Sequence, residues 1–151
     1  MIRIATPADV PGMFEVRTSV RENHLSLQEL AEYGITPMAL PSMLSGSGRG
    51  WVACAAQKVV AFAMVDADEA TLFALFVHPE YEGLGLGRRL MAVAEEWLTS
   101  RGCCEIWLLT DADPKVRANG FYRYLGWQAV GIEEDGQMRF VKCLGEGTPT
   151  P

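Results

Sequence analysis

The stretch from Ala70 to Thr110 constrains the fold of this chain more than any other. Ala70 to Val77 reads ATLFALFV, apolar almost throughout, as expected of a central strand covered on both faces. Leu86, Leu90, Val93, Ala94 and Trp97 then fall at i, i+4, i+7, i+8 and i+11, one stripe of a helix that Gly102 can stop. Glu105 to Thr110 is strand-like again. Strand, helix of roughly 15 residues, strand is a βαβ unit, and its crossover requires two parallel strands with a right-handed connection. All-helical and purely antiparallel folds are excluded.

The flanking segments extend this unit into a mixed α/β fold. Thr6-Pro7-Ala8-Asp9 opens a helix expected over Pro7 to Asn23, with a hydroxyl cap, proline at the first helical position and a carboxylate meeting the free amides. Ser26 to Glu29 repeats the capping-box spacing before a shorter helix that Gly34 ends. Thr36 to Gly50 reads as a partly helical connection of the kind that lies over a site. Trp51 to Ala55 and Val59 to Asp66 form a hairpin around Ala56-Gln57-Lys58. A last helix, Pro114 to Leu125, precedes strands at Trp127 to Glu133 and Gln137 to Leu144 that turn at Asp135-Gly136. Residues 1–144 are expected to form one domain, and the tail 145–151, GEGTPTP, to be disordered.

Composition narrows the function classes. The chain has 151 residues, 49% hydrophobic and 21% charged, enough for one packed domain. Its longest apolar run, Val59 to Val65, is far too short to span a bilayer, and no apolar leader follows Met1, so a cytoplasmic protein without a membrane segment is expected. Cys54, Cys103, Cys104 and Cys143 include no Cys-x-x-Cys and read as reduced thiols; Cys103 and Cys104 open a strand expected to be buried, where they pack as small hydrophobes. His24 and His78 have no ligand-spaced partner, so no metal is expected. A net charge of −6 disfavours nucleic acid and anionic membranes as partners.

Chemistry concentrates between the strand ending at Val77 and the helix beginning near Leu86. Glu82-Gly83-Leu84-Gly85-Leu86-Gly87-Arg88-Arg89 places three alternating glycines there. Without side chains they let a phosphate approach the backbone, while the free amides and positive dipole end of the helix attract it. Arg88 and Arg89 can add charge-assisted bonds. A Rossmann fingerprint would need glycine at 88, and a P-loop would need Gly-Lys-Ser/Thr. Further on, Ala118-Asn119-Gly120-Phe121-Tyr122-Arg123-Tyr124-Leu125-Gly126-Trp127 sets Phe-Tyr near the end of a helix that stops at glycine.

With both segments in place, Ile2 to Leu144 resembles the GNAT superfamily of acyl-CoA-dependent N-acetyltransferases. Glu82 to Gly87 is similar to that family's Gln/Arg-x-x-Gly-x-Gly/Ala loop, and Ala118 to Trp127 to its Ala-x-x-Phe-Tyr-x-x-x-Gly-aromatic pattern. Two departures stand out: Glu82 where Gln or Arg is usual, and Lys115 where Asn is frequent. The resemblance implies a mostly antiparallel central sheet with one parallel pair, splayed where the cofactor's pantetheine enters and flanked by helices. It implies acetyl-CoA as cofactor and CoA as product, with the pyrophosphate on Gly83, Leu84, Gly85, Leu86, Gly87 and Arg88 and the pantetheine along Leu75, Phe76 and Val77.

The same resemblance implies transfer of acetyl to a primary amine of a small molecule or a peptide by direct attack. Val77 would supply an amide to the developing oxyanion, and Tyr122 would be the general acid. Glu22 and Asn23, at the expected end of the first helix, are the substrate-binding candidates. Glu22, Asp66, Glu69, His78 and Glu80 are all open as general base. The family also admits a homodimer, and a catalytically silent acyl-CoA sensor on the same fold is the alternative reading.

Overall fold

A computed structural model describes residues 1–20, 25–111 and 117–144. Seven strands make one sheet: β1 (Ile2–Ile4), β2 (Gly48–Ala55), β3 (Lys58–Asp66), β4 (Thr71–Val77), β5 (Glu105–Asp111), β6 (Gln128–Ile132) and β7 (Gln137–Cys143). Their spatial order is β1-β2-β3-β4-β5-β7-β6, antiparallel everywhere except between β4 and β5. The helices are α1 (Val10–Ser19), α2 (Leu27–Glu32), α3 (Leu86–Ser100) and α4 (Arg117–Tyr124).

Two layers of side chains hold helices to the two sheet faces. On one face Leu90, Met91, Ala94 and Leu98 of α3 pack with Trp51, Val65, Ile106, Leu108 and Phe140. On the other, Met13, Phe14 and Val16 of α1 and Leu30 of α2 pack with Val52, Phe62 and Met64. The alternation along β3, with Ala63 and Val65 toward α3 and Phe62 and Met64 toward α1, is what makes this strand apolar throughout. Each such large side chain contributes about 1.5–3 kcal/mol on burial.

Tertiary context moved several of the expected boundaries. The stretch opening at Pro7 begins as a 3-10 turn over Pro7–Asp9 before α1 starts; the Asp9 carboxylate accepts from the Thr6 amide at 2.8 Å, as the capping spacing predicts, and also accepts two bonds at 2.8 Å from the Arg3 guanidinium. That pair ties β1, a strand too short to read from periodicity, to the first helix. The hairpin turn is tighter than expected: Ala56 and Gln57 alone make it, both at positive φ (51° and 67°), and β2 reaches back to Gly48. Ser26 caps α2 as the spacing predicts, accepting from the Glu29 amide at 3.2 Å. Cys103 and Cys104 do not open a buried strand: Cys104 is exposed and β5 begins after it. Trp51 and Trp127 are buried, whereas Trp97 and Trp107 are half-exposed.

β4 is central in the order and packs on both helix layers, Leu75 and Val77 toward α3 and Ala74 and Phe76 toward α1, but only Thr71 and Leu72 are fully buried and Phe73 is exposed. The cause is local. Val65 pairs with Leu72 and Met64 with Ala74, so Phe73 is an extra residue, a bulge that bends the strand. Pairing with β5 stops at Thr71 opposite Trp107. Around that one register pair the join is tight: the Trp107 amide donates to Ala70 O at 3.1 Å, the Thr71 hydroxyl to Trp107 O at 2.8 Å, and the Trp107 indole to Glu69 O at 2.9 Å. Beyond it the two strands part.

Candidate active site

The parting leaves one edge of β4 without a neighbour. The His78 amide donates to Val60 O at 2.8 Å, and the register continues through Ala61 opposite Val77, Phe62 opposite Phe76 and Ala63 opposite Leu75. In an antiparallel ladder, alternate residues turn their N–H and C=O to the same partner. Phe76 therefore bonds β3, while Leu75 and Val77 present their backbone groups to the gap on the β5 side. A cleft of about 690 Å³ occupies that gap. Leu75, Phe76, Val77, Leu108, Leu109 and Thr110 form its walls.

One end of the cleft is closed by the glycine loop and the start of α3. Gly83 and Gly85 sit at φ +81° and +82°, the left-handed region that only glycine enters freely, and Gly85 is the residue that caps α3. The first intrahelical bond runs from the Arg89 amide to Gly85 O at 3.1 Å, so the amides of Leu86, Gly87 and Arg88 precede any helical acceptor. They point out of the helix at its positive end, which suits an anion. A Cβ on Gly87 would stand 3.3 Å from the Phe121 ring, so glycine there lets α4 close on the loop. Gly83, Gly85, Leu86, Gly87 and Arg88 line the cleft, with Glu82 on its rim; Leu84 does not, its side chain being 66% exposed.

Tyr122 enters from α4. It is 8% exposed, lines the cleft, and has Phe121, Trp127 and Phe140 within ring-contact distance (5.5, 6.0 and 5.8 Å). Burial disfavours the phenolate and pushes the phenol up to about 12, from an ordinary value near 10. The folded state therefore keeps the proton while the unfolded chain loses it. This contribution to stability is complete below pH 10 and disappears as pH rises toward 12. In an alkaline titration followed by tyrosinate absorbance, the signal that Tyr122→Phe removes should be centred near pH 12; a midpoint near 10 would mean the hydroxyl is solvated.

The other sequence candidates divide by position. Val77 and Tyr122 line the same cleft. His78 does not offer a free base: its Nδ1 accepts from the Glu80 amide at 3.1 Å, which fixes the proton of the neutral ring on Nε2. Asp66 is engaged at the turn before β4, accepting from the amides of Asp68 and Glu69 at 2.9 and 3.2 Å. Asp66 and Glu69 stand at the opposite end of β4 from Val77, about 20 Å away along a seven-residue strand. Glu80 is exposed and does not line the cleft. Glu22, Asn23 and Lys115 lie outside the described residues.

A second cleft, about 740 Å³, lies on the α1 and α2 side of the sheet. Leu72, Phe73, Ala74, Phe76, Leu109 and Thr110 line both clefts, so the two meet at the gap between β4 and β5. Arg17 of α1 lines the second cleft, and sequence reasoning passed over it. The signal was its position four residues after Met13, which puts a cation on the helix face that packs on the sheet. Phe121 was passed over for a different reason, since its partner Gly87 is remote in sequence.

The split in the sheet thus sets an unpartnered strand edge beside the free amides of a helix N-terminus, along one cleft. The sequence profile of the acetyltransferase (GNAT) family matches residues 14–127, and the chain belongs to that family. The [ribosomal protein bS18]-alanine N-acetyltransferase of Escherichia coli strain K12 is 36% identical over 80 residues, 52% of this chain and 53% of that protein, so the match spans about half the length of that relative. The aminoglycoside N(6')-acetyltransferase type 1 of Stenotrophomonas maltophilia is 29% identical over 93% of this chain and 91% of its own. The PaiA N-acetyltransferase of Thermoplasma acidophilum, solved in complex with coenzyme A, shares the fold at a TM-score of 0.82, with 18% identity over 95% of this chain and 98% of that one.

Proposed function

We propose that this chain is an acetyl-CoA-dependent N-acetyltransferase acting on a primary amine by direct attack. The observation that carries the reading is the unpartnered edge of β4 at Leu75 and Val77, running into the free amides of α3. The names of the relatives, which act on a ribosomal-protein alanine and on aminoglycosides, agree with an amine acceptor. When bound, acetyl-CoA supplies an acetyl group activated as a thioester, with a thiolate as leaving group.

The chain's own groups fit that chemistry. Leu75 and Val77 bond an extended pantetheine as an added strand would, and Gly83 with the amides of Leu86, Gly87 and Arg88 takes the pyrophosphate. The Val77 amide, fixed by the β3 ladder, donates to the oxygen on which negative charge develops, without reorganising at the moment of reaction. Tyr122 delivers its phenolic proton to the departing sulfur. A phenol held at about 12 is fully protonated at working pH, so Tyr122 has a proton to give. The acceptor has to arrive as the neutral amine, since no carboxylate or imidazole among the described residues lining the first cleft is assigned as its base.

Thermal unfolding with and without acetyl-CoA tests the reading. At about 100 times its dissociation constant the ligand adds roughly 2.7 kcal/mol, a rise of about 6 to 10 °C for a domain of this size. CoA should reproduce the rise; NAD and ATP should not. A midpoint unmoved by millimolar acetyl-CoA would sink the proposal.

A further inference from the structure

Arg17 is the one cationic side chain among the described residues lining the second cleft. Its Nη1 is buried without any hydrogen-bond acceptor. The guanidinium carbon lies over the Phe76 ring, 4.2 Å from its centroid, and Phe76 lines both clefts next to Val77. Arginine keeps its charge at any pH the protein meets, so it cannot escape desolvation by losing a proton. A stacked aromatic ring offsets part of that cost and leaves the in-plane donors of the fork unused. A structural arginine would bond a backbone carbonyl or a carboxylate; among the described residues Nη1 has neither. The remaining described charge in the cleft, Asp135, sits on the β6–β7 turn with its carboxylate accepting from the Gln137 amide at 3.0 Å.

The rest of the lining is mostly apolar, with Met13, Phe14, Leu30, Leu40, Phe62 and Met64 facing the space and Thr71, Thr110 and Gln137 as neutral polar neighbours. An occupant that answers all three features has an amine to present at the gap, an apolar body and an oxyanion for the guanidinium. We infer that the acceptor is a small amine bearing a carboxylate, of the kind of a free apolar amino acid, with its carboxylate on Arg17. The inference deepens the acetyltransferase reading and rests on it. It also argues against a polycationic acceptor, because an unpaired guanidinium at the mouth of the gap repels one.

The test separates the two ideas. Thiol release from acetyl-CoA is measured with leucine, leucinamide and isoamylamine, and equilibrium binding of N-acetylleucine is measured without acetyl-CoA, for the wild type, Arg17→Met and Arg17→Lys. Leucine should exceed its two uncharged-tail analogues in kcat/KM by about tenfold or more, the worth of a charge-assisted bond. Arg17→Met should collapse that ratio and abolish N-acetylleucine binding, while Arg17→Lys, which keeps the charge but not the fork, should recover part of both. Equal rates for the three amines, or a preference for leucine that survives Arg17→Met in a variant that still unfolds cooperatively, would overturn the assignment. Binding of N-acetylleucine that depends on Arg17 with no thiol release from any amine would uphold the carboxylate site and discard the enzyme. Thiol release without such binding would do the reverse.

Discussion

Tyr122→Phe is expected to lower kcat by at least tenfold, toward the roughly 10²–10⁴-fold that a positioned general acid contributes, and to leave acetyl-CoA affinity nearly unchanged. The substitution is a clean one. The ring contacts with Phe121, Trp127 and Phe140 belong to the aromatic face, which phenylalanine keeps, so packing changes little and only the hydroxyl is removed. Losing a group that acts only in the transition state lowers kcat and kcat/KM together and spares ground-state binding. Steady-state thiol release, paired with direct titration of acetyl-CoA, reads both quantities. A full rate in the variant would leave Tyr122 as a core aromatic and return leaving-group protonation to solvent.

Gly85→Val should raise the dissociation constant of acetyl-CoA about a hundredfold and erase the ligand-induced thermal shift. A Cβ on Gly85 meets only Arg88 Nη2, at 3.6 Å, so space is not the obstacle. Conformation is. At φ +82° a β-branched residue is strained by about 1–2 kcal/mol or more, and the cheaper course is to re-form the turn, which re-aims the amides of Leu86, Gly87 and Arg88. One or two charge-assisted bonds to an anion lost in this way, at about 1.5–3 kcal/mol each, supply the hundredfold change. Circular dichroism of the unliganded variant guards against simple unfolding, since α3 is anchored further along by Leu90, Ala94 and Leu98. An unchanged dissociation constant in a folded Gly85→Val would remove the loop from the cofactor site.

Much of this was legible in the chain because it depends on local rules. The Leu86 to Trp97 stripe has helical period, Gly85 and Gly102 bracket the helix, and Ser26 with Glu29 makes a capping box, so α2 and α3 could be placed before any coordinates. The glycine loop could be read as an anion site since phosphate binding at a helix start needs only backbone and small residues. β1 escaped notice because three residues carry no period, and its place is fixed by pairing with β2 and by the Arg3–Asp9 contact.

Local patterning along the chain carries the inventory: a parallel βαβ unit, a glycine-rich turn at a helix start, a tyrosine near a helix end. Tertiary structure alone decided how these meet. The apolar run of β4 reads as a strand covered on both faces, and it is, with Leu75 and Val77 packing toward α3 and Ala74 and Phe76 toward α1; what the run does not show is the Phe73 bulge and the single Thr71–Trp107 pairing, which turn the strand away from β5 and leave its backbone edge at Leu75 and Val77 facing the gap. His78 is one of five residues the sequence leaves open as general base, and the fold turns its Nδ1 to cap a 3-10 turn, accepting from the Glu80 amide. Arg17 reads as one charge among many, and the fold sets it over Phe76 with its Nη1 buried and, among the described residues, unbonded. Periodicity and capping act over a few residues and are written in order along the chain; the pairing of distant edges and the desolvation of a charge depend on neighbours that only folding supplies.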